Sequence, residues 1–347
     1  MSDQKRLLES LYNEPDTEKI LYFLESEDSG VLRELYSFAD EIRKIYTGNA
    51  IHLRAILEFS NYCRQGCLYC GIRNSMKIRR FRISPDEIIE ISKTIFQKGY
   101  RTLVLQSGED PFYSTEDYVK IIRGIKSLGN IAITLSIGEK QEEEYRAYFH
   151  AGADRFLLKH ETSDPVLYSR LNPGMSLTNR IKCLKMLKSI GFQTGGGIMI
   201  GLPGQTKKSI ADDILLFKDL ELDMIGSGPY IPETGLFAED ISRIQEELTY
   251  KVIALTRIVT KNTHLPSTTA LSVVNEETAR RNALSRGANV IMPNETPEKY
   301  RTLYQIYPNK KRTEVSSADF LQELRELAFS MGRVISDERG DSLKASG

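Results

Sequence analysis

The feature that most constrains the fold is a repeated junction, in which a helical pattern ends at a glycine and a short apolar run follows. The junction recurs along the chain at Gly99, Gly129, Gly152, Gly191 and Gly287. A glycine after a helix supplies the left-handed residue that ends it, and apolar, β-rich runs of this length are typical of buried strands. The pattern therefore predicts a series of strand–helix units.

Eight candidate strands follow from this pattern. They are Leu53–Phe59, Thr102–Gln106, Ala132–Ser136, Arg155–Lys159, Thr194–Met199, Met224–Gly226, Leu265–Thr269 and Asn289–Met292. The helices predicted between them include Pro85–Lys98, Thr115–Leu128, Leu177–Ile190, Lys207–Leu220 and Glu276–Arg286. Alternating strands and helices indicate a parallel sheet, and eight strands favour an α/β fold closed as a (β/α)8 TIM-type barrel. An open, doubly wound sheet is the alternative.

No linker, low-complexity tract or second core is visible, so we predict a single domain in three parts. Residues 1–50 form helices that pack on the barrel and cap its closed end, and residues 51–310 form the barrel. Residues 311–347 form a helical segment and a frayed tail. The length of 347 residues and the hydrophobic fraction of 40% suit a fold of this size.

Composition argues against several functional classes. The chain has 47 basic and 47 acidic residues, so its net charge gives no general reason to expect nucleic-acid or membrane-surface binding. No apolar run is long enough to span a bilayer, and the polar first residues lack the apolar core of a signal peptide. We therefore predict a cytoplasmic protein.

The cysteines point to a metal group. Cys63, Cys67 and Cys70 fall within eight residues, directly after the first predicted strand, whereas Cys183 stands alone in a helical pattern that predicts burial. Thiolates suit iron–sulfur clusters and zinc, but a structural zinc site needs four ligands, and no fourth cysteine or histidine follows nearby. A 4Fe–4S cluster on three thiolates leaves one iron open for a chelating cofactor. Zinc remains the alternative.

The C-x3-C-x2-C spacing resembles that of the radical S-adenosylmethionine (SAM) superfamily. The resemblance implies an anaerobic enzyme whose 4Fe–4S cluster binds SAM at the open iron and cleaves it reductively to methionine and a 5′-deoxyadenosyl radical. It also implies an electron donor such as ferredoxin or flavodoxin. The residues that it implies for contact with SAM lie at the ends of the predicted strands: Tyr69, Gln106, Ser107, Gly108, Glu109, Ser136, Glu161, Arg180, Tyr230 and Ile231.

Each of these matches also has an ordinary interpretation. The segment Gln106–Asp110 resembles the family motif that contacts the SAM amino group, but it could be a simple turn. The resemblance assigns Glu161 to the ribose or amino group and Arg180 to the carboxylate, which suits the planar fork of a guanidinium. A surface pair of Glu and Arg is otherwise of little consequence.

Six further segments resemble one branch of the superfamily, which holds biotin synthase, methylornithine synthase and the FeFe-hydrogenase maturases of the HydE type. The likeness to the HydE type is the closest and runs from about residue 50 to residue 310. It implies an organometallic substrate, an iron–cysteine complex carrying carbon monoxide and cyanide, and other hydrogenase maturases as partners. The residues that it implies for the substrate cavity are Lys159, Met224, Thr268, Thr269, Ala270, Met292, Tyr304 and Tyr307.

Departures from this pattern leave three hypotheses open. Lys159 stands where the family would have arginine, and the C-terminal region has no cysteines for a second cluster, which argues against a biotin synthase. The chain is predicted to be a HydE-type maturase, a HydE-like paralogue or carbon-skeleton mutase acting on another small substrate, or a non-catalytic iron–sulfur carrier. The cavity residues could instead be core or strand-forming side chains.

Overall fold

The computed structural model describes residues 3–232, 242–306 and 317–344, which alternate between strands and helices. The strands are β1 (Ala50–Leu53), β2 (Ala55–Ser60), β3 (Thr102–Ser107), β4 (Ala132–Ser136), β5 (Arg155–Leu157), β6 (Gln193–Gly196), β7 (Met199–Ile200), β8 (Met224–Ile225), β9 (Gly228–Pro229), β10 (Pro266–Ser267), β11 (Val290–Ile291) and β12 (Val334–Ser336). The helices are α1 (Asp3–Asn13), α2 (Thr17–Glu25), α3 (Ser29–Thr47), α4 (Pro85–Gln97), α5 (Thr115–Lys126), α6 (Glu142–Ala151), α7 (Pro165–Leu171), α8 (Leu177–Ile190), α9 (Lys207–Asp219), α10 (Ser242–Thr260), α11 (Thr269–Val274), α12 (Ala279–Leu284), α13 (Glu298–Arg301) and α14 (Ser317–Ser330).

The strands close into a parallel barrel. One sheet has the order β2-β3-β4-β5-β6-β8 and a second has the order β10-β11-β1-β12. Parallel bridges join the two sheets, between Met224 and His264 on one side and between Ile56 and Asn294 on the other. Since β1 and β2 are separated only by Arg54, they act as one barrel strand. The predicted TIM-type fold is confirmed, and the open doubly wound sheet is excluded.

Four of the predicted strands differ from the structure by a break or by two residues at one end, and one of them, the fourth, ends at Leu157 instead of Lys159. The first is interrupted at Arg54, and the fifth is split at Gly197 into β6 and β7. The seventh ends at Ser267, because the Thr268 hydroxyl accepts a hydrogen bond from the Leu271 N–H at 3.4 Å and so caps α11. The prediction of strand at Thr268 and Thr269 is therefore wrong.

The predicted helices are confirmed within two residues of their ends, with one exception. Gly191 adopts the left-handed conformation that ends α8, with φ of 110°. The helix predicted to begin at Glu276 instead begins at Ala279 as α12. The Asn275 side chain accepts a hydrogen bond from the Thr278 N–H at 3.0 Å. Because residues 275–278 form this turn, the helix begins only after them.

The N-terminal helices pack on the side of the barrel, where α3 lies along α10 and α2 lies along α9. The expectation that they cap its closed end needs correction, because residues 338–344 lie across that end. There, Arg155 forms a 2.7 Å ion pair with Asp341, and Arg54 donates to the Gly340 carbonyl at 3.1 Å. His264 donates to the Asp341 carbonyl at 2.8 Å. The tail is therefore not frayed up to residue 344.

Among the helices that the structure describes, none is long and apolar enough to cross a membrane. The carboxyl ends of the barrel strands meet at the end of the barrel opposite the tail, where parallel barrels place their ligand sites.

Candidate functional site

A cavity of about 330 Å³ opens at the carboxyl ends of the strands. Most residues predicted for the site line it, and they come from loops far apart in the sequence. The predicted residues in its wall are Cys63, Tyr69, Cys67, Cys70, Gln106, Ser107, Gly108, Glu109, Ser136, Lys159, Glu161, Arg180, Tyr230, Ile231, Thr268, Ala270 and Tyr304.

Three of the predicted substrate residues that the structure describes are not part of this wall. Met224 packs inside the barrel against Gly195, Thr269 begins α11, and Met292 follows β11 without reaching the wall. Tyr307 lies outside the described residues. For Met224, Thr269 and Met292, the structure gives no support for contact with a substrate.

The three cysteines lie in the loop that follows β2. Their thiols are free, and the backbone N–H groups of Gln65 and Glu109 each donate to Cys63 Sγ at 3.4 Å. Burial raises the pKa of Cys67 to about 11 and that of Cys70 to about 12. Thiolate at these positions therefore requires a positive partner such as iron to offset the cost of burying charge.

The shape of this loop is fixed by Arg80, a residue that the sequence reasoning missed. Its guanidinium donates to the carbonyls of Ile72 and Arg73, both at 2.7 Å, to that of Met76 at 3.1 Å, and to that of Asn61. One side chain thus holds four backbone groups of the segment that carries the cysteines. No spacing rule marks such an arginine, because its partners are carbonyls that every residue has.

A 4Fe–4S cluster suits the three thiols better than zinc does. Within the described ranges, no group of three Cys, His, Asp or Glu side chains is placed to hold a single metal ion. A cluster bonds each thiolate to a different iron, so its ligands are spaced around it and do not converge on one point. The predicted zinc alternative also still lacks a fourth ligand.

The segment after β3 forms a turn that is held in place by close contacts and hydrogen bonds. A Cβ atom on Gly108 would lie 2.2 Å from the Tyr62 carbonyl oxygen, so only glycine lets this turn approach the cysteine loop. Glu109 accepts from the Gln65 amide at 2.8 Å and from Arg64 Nε at 2.6 Å. The motif is therefore packed directly against the cysteine loop.

Asp110 stabilises the same turn through hydrogen bonds to its carboxylate. Burial opposes its ionisation, but hydrogen bonds from Arg82, at 2.8 Å, and from the Ser60 hydroxyl, at 2.7 Å, outweigh burial and lower its pKa. Since Ser60 is the last residue of β2, these bonds join the ends of two neighbouring strands.

Two ion pairs involve cationic residues of the cavity wall. Lys159 Nζ lies 3.0 Å from Glu161 Oε2, and Arg180 Nε lies 2.8 Å from Glu139 Oε1. Arg180 also donates to the Lys159 carbonyl at 3.2 Å. Glu139 was missed by the sequence reasoning, because it lies beyond the residues that directly follow β4.

Glu161 adopts the left-handed conformation, with φ of 64°. A side chain in this region costs on the order of 1–3 kcal/mol and persists where the surroundings impose it. The parallel bridge between Glu161 and Ile198 imposes it here, and the carboxylate is held at the wall of the cavity.

The donor set of the cavity matches the charges of SAM. Its sulfonium and ammonium groups are cations that suit the carboxylates of Glu109 and Glu161, and its carboxylate suits the guanidinium of Arg180. Tyr69, which donates to Asn172 Oδ1 at 2.8 Å, supplies an aromatic wall between two of the cysteines.

Residues 57–217 match the sequence model of the Radical SAM superfamily. The chain is 45% identical over 308 residues to the FeFe hydrogenase maturase subunit HydE of Thermotoga maritima, with 88% of each chain covered. It is 28% identical to a 3-methylornithine synthase of Methanosarcina acetivorans, covering 83% of this chain and 81% of the relative.

A crystal structure of methylornithine synthase (PylB) has a similar fold, with a TM-score of 0.82 and 22% identity. The likeness covers 95% of this chain and 97% of that one. Both the branch and the barrel expected from the sequence are thereby confirmed.

Proposed function

We infer the function from one premise, namely that this chain belongs to the radical SAM family that includes the hydrogenase maturase subunit HydE. Members of this family use a 4Fe–4S cluster and SAM, and they act on small substrates with the help of an electron donor. We propose that this enzyme is a HydE-type maturase, which processes an iron–cysteine complex carrying carbon monoxide and cyanide for the diiron centre of an FeFe hydrogenase. The observation that carries the proposal is the convergence of three free thiols, the Lys159–Glu161 ion pair and the Arg180 guanidinium on one cavity.

In this proposal Cys63, Cys67 and Cys70 hold the cluster. When bound, the cluster and SAM supply a one-electron cleavage of the sulfonium bond that yields methionine and the 5′-deoxyadenosyl radical. The loop held by Arg80 positions the thiols before the cluster is bound, so little rearrangement is needed.

The two ion pairs suggest how the protein couples cofactor to substrate. Arg180 exchanges Glu139 for the SAM carboxylate, because a guanidinium binds either carboxylate through the same fork. Glu161 turns from Lys159 to the ribose or amino group of SAM. The Lys159 ammonium is then left to bind an anionic group of the substrate, such as the carboxylate of cysteine or a cyanide ligand.

The experiment is anaerobic reconstitution with iron and sulfide, followed by incubation with SAM and dithionite. We expect 5′-deoxyadenosine, formed faster when the iron–cysteine complex is present. A defined mixture of the other maturases and apo-hydrogenase should then evolve hydrogen only with the intact enzyme. A cluster whose paramagnetic resonance spectrum is indifferent to SAM, with no 5′-deoxyadenosine formed, would assign the chain to the carrier hypothesis.

A carbon-skeleton mutase is the second candidate. It is favoured by Lys159, which replaces the planar fork expected of a HydE-type cavity with a single ammonium group. The same assay with a pool of free amino acids separates the two candidates. Formation of 3-methylornithine, or of another rearranged amino acid, without stimulation by the iron complex would favour the mutase.

A further inference from the structure

The segment that carries the cysteines is strongly basic in a chain with no net charge. Residues 59–85 contain no Asp or Glu, and the cationic side chains in this stretch are Arg64, Arg73, Lys77, Arg79, Arg80 and Arg82. The cations are therefore concentrated on one loop at the open end of the barrel.

Several of these cations are engaged within the protein. Arg64 pairs with Glu109, Arg82 pairs with Asp110, and Arg80 is taken up by backbone carbonyls. Lys77 and Arg79 differ, since both are exposed, and neither forms an ion pair with a carboxylate in the part of the chain that the structure describes. Their charge is directed to solvent.

The stretch that carries these two cations is hydrogen-bonded to the cysteine loop. The N–H of Asn74 donates to the Gln65 carbonyl at 2.9 Å, and its side-chain amide donates to the Arg64 carbonyl at 3.0 Å. These bonds fold the basic stretch back against the residues between Cys63 and Cys67. On the same loop, the apolar side chain of Leu68 is 39% exposed. A partner that touches this surface is therefore close to the cluster site.

We propose that the exposed surface of Leu68, Lys77 and Arg79 is the docking face for a small acidic electron-carrier protein of the flavodoxin or ferredoxin type. The inference rests on the proposed function, because each SAM cleavage consumes one electron. The reduced carrier gives that electron to the cluster and leaves oxidised, and the electron ends in the broken sulfonium bond. Charge complementarity selects the carrier, and the apolar contact at Leu68 completes a small, transient interface.

The test compares two electron sources in one variant. Lys77→Glu/Arg79→Glu reverses the exposed charges without touching the cavity. With limiting reduced flavodoxin, we expect the rate of 5′-deoxyadenosine formation per carrier concentration to fall by about tenfold or more. With saturating dithionite the rate should equal that of the parent, and the iron content should be unchanged. The carrier-driven rate of the parent should also fall with ionic strength more steeply than that of the variant.

A matched variant separates docking from net charge. Lys185→Glu/Lys218→Glu makes the same change on exposed helical positions outside the loop, and it should leave both rates unchanged. Equal losses in the two variants, or no loss in the loop variant, would overturn the proposal. Absence of 5′-deoxyadenosine with dithionite in the parent would instead contradict the proposed function.

Binding measured without turnover keeps the two ideas distinct. Oxidised flavodoxin, titrated onto the reconstituted protein at low salt, should bind the parent and the Lys185/Lys218 variant but not the loop variant. Stronger binding of a single-stranded RNA oligonucleotide than of flavodoxin, lost in the same loop variant, would assign the face to nucleic acid and overturn the proposal.

Discussion

The two ends of the barrel both bury charged side chains, but they satisfy those charges differently. At the closed end Arg155 donates to Asp341, Gln193 and Thr102, so its whole guanidinium is bound by the chain. At the open end Arg180 meets Glu139 beside a cavity. A charge enclosed by the chain stabilises the fold, whereas a charge that itself lies at a cavity wall can exchange its protein partner for a ligand. Burial of charge alone therefore does not locate the active site.

The largest expected effect concerns the open end. Cys70→Ala should abolish cluster binding and all 5′-deoxyadenosine formation, because the remaining two thiolates cannot hold three irons in place. The unfolding midpoint of the cluster-free protein should change little. Iron content, visible absorbance and thermal unfolding are the measurements.

Cys183→Ala is the matched control, since Cys183 is buried in α8 and does not line the cavity. It should keep its iron and its activity. Loss of the cluster in this variant would show that the cluster ligands have been misassigned.

The second effect concerns pH at the closed end. Burial and the neighbouring Arg54 lower the pKa of His52 to about 4, against about 6.5 when unfolded. Between pH 4 and pH 6.5 the unfolded chain therefore binds more protons than the folded chain. The contribution of His52 to the free energy of unfolding is complete above pH 6.5 and is lost as the pH falls towards 4. The loss is on the order of 3 kcal/mol for this one group.

Chemical unfolding of the cluster-free protein between pH 7 and pH 4.5 measures this effect. His52→Asn, which cannot take up the proton, should flatten the pH dependence. His264 also has a lowered pKa, caused first by burial, so part of the slope should remain. A slope identical to that of the parent would place the acid sensitivity elsewhere.

The third effect returns to the open end. Arg180→Ala should weaken SAM binding by about 10- to 100-fold, the loss expected for hydrogen bonds between charged groups, with the cluster intact. Glu139→Gln is its counterpart, because it removes the protein carboxylate that competes for the guanidinium, and SAM affinity should hold or rise. Equilibrium binding of SAM, followed by the cluster spectrum, checks both. Unchanged affinity in Arg180→Ala would mean that the SAM carboxylate lies elsewhere.

The smallest effect again tests the closed end. Asp341→Asn weakens the partner of buried Arg155, and because the Asp341 side chain is 43% exposed we expect a loss of only about 1–2 kcal/mol of unfolding free energy. SAM cleavage per folded molecule should not change. The surface pair of Lys120 and Asp86 is the control, and Asp86→Asn should have little effect on stability. A large loss of SAM cleavage per folded molecule in Asp341→Asn would contradict the distinction between the two ends.

Much of the barrel could be predicted from the sequence, because its longest strands, β2, β3 and β4, are mostly buried apolar runs bounded by local signals. Glycine at a helix end and a polar cap at a helix start act over a few residues, so a single sequence carries them. The strand breaks at Arg54 and Gly197 could not be predicted in the same way, since they depend on which strand lies alongside. The capping role of Thr268 was missed because a β-branched residue is equally typical of a strand.

In the site, the sequence led to residues with distinctive chemistry. Cys63, Cys67 and Cys70 stand out by spacing, and Arg180 by family resemblance. Arg80 and Glu139 were missed, because an arginine bound to carbonyls or a glutamate paired across a cavity looks like any surface charge until the fold brings its partners together. The tail was misjudged for the same reason: SDERGD is polar, and only the buried arginines across the barrel explain why it is ordered.

Pairing of β1 with both β11 and β12 has a consequence for synthesis of the protein. The partners of the first barrel strand lie about 240 and more residues later in the chain. Contacts over such a separation form slowly, because a long loop has to close first. During translation the backbone N–H and C=O groups of β1 therefore remain unpaired until nearly all of the chain has left the ribosome. Unpaired strand edges are sites of aggregation, so we expect co-expressed chaperones to raise the yield of folded protein on overexpression.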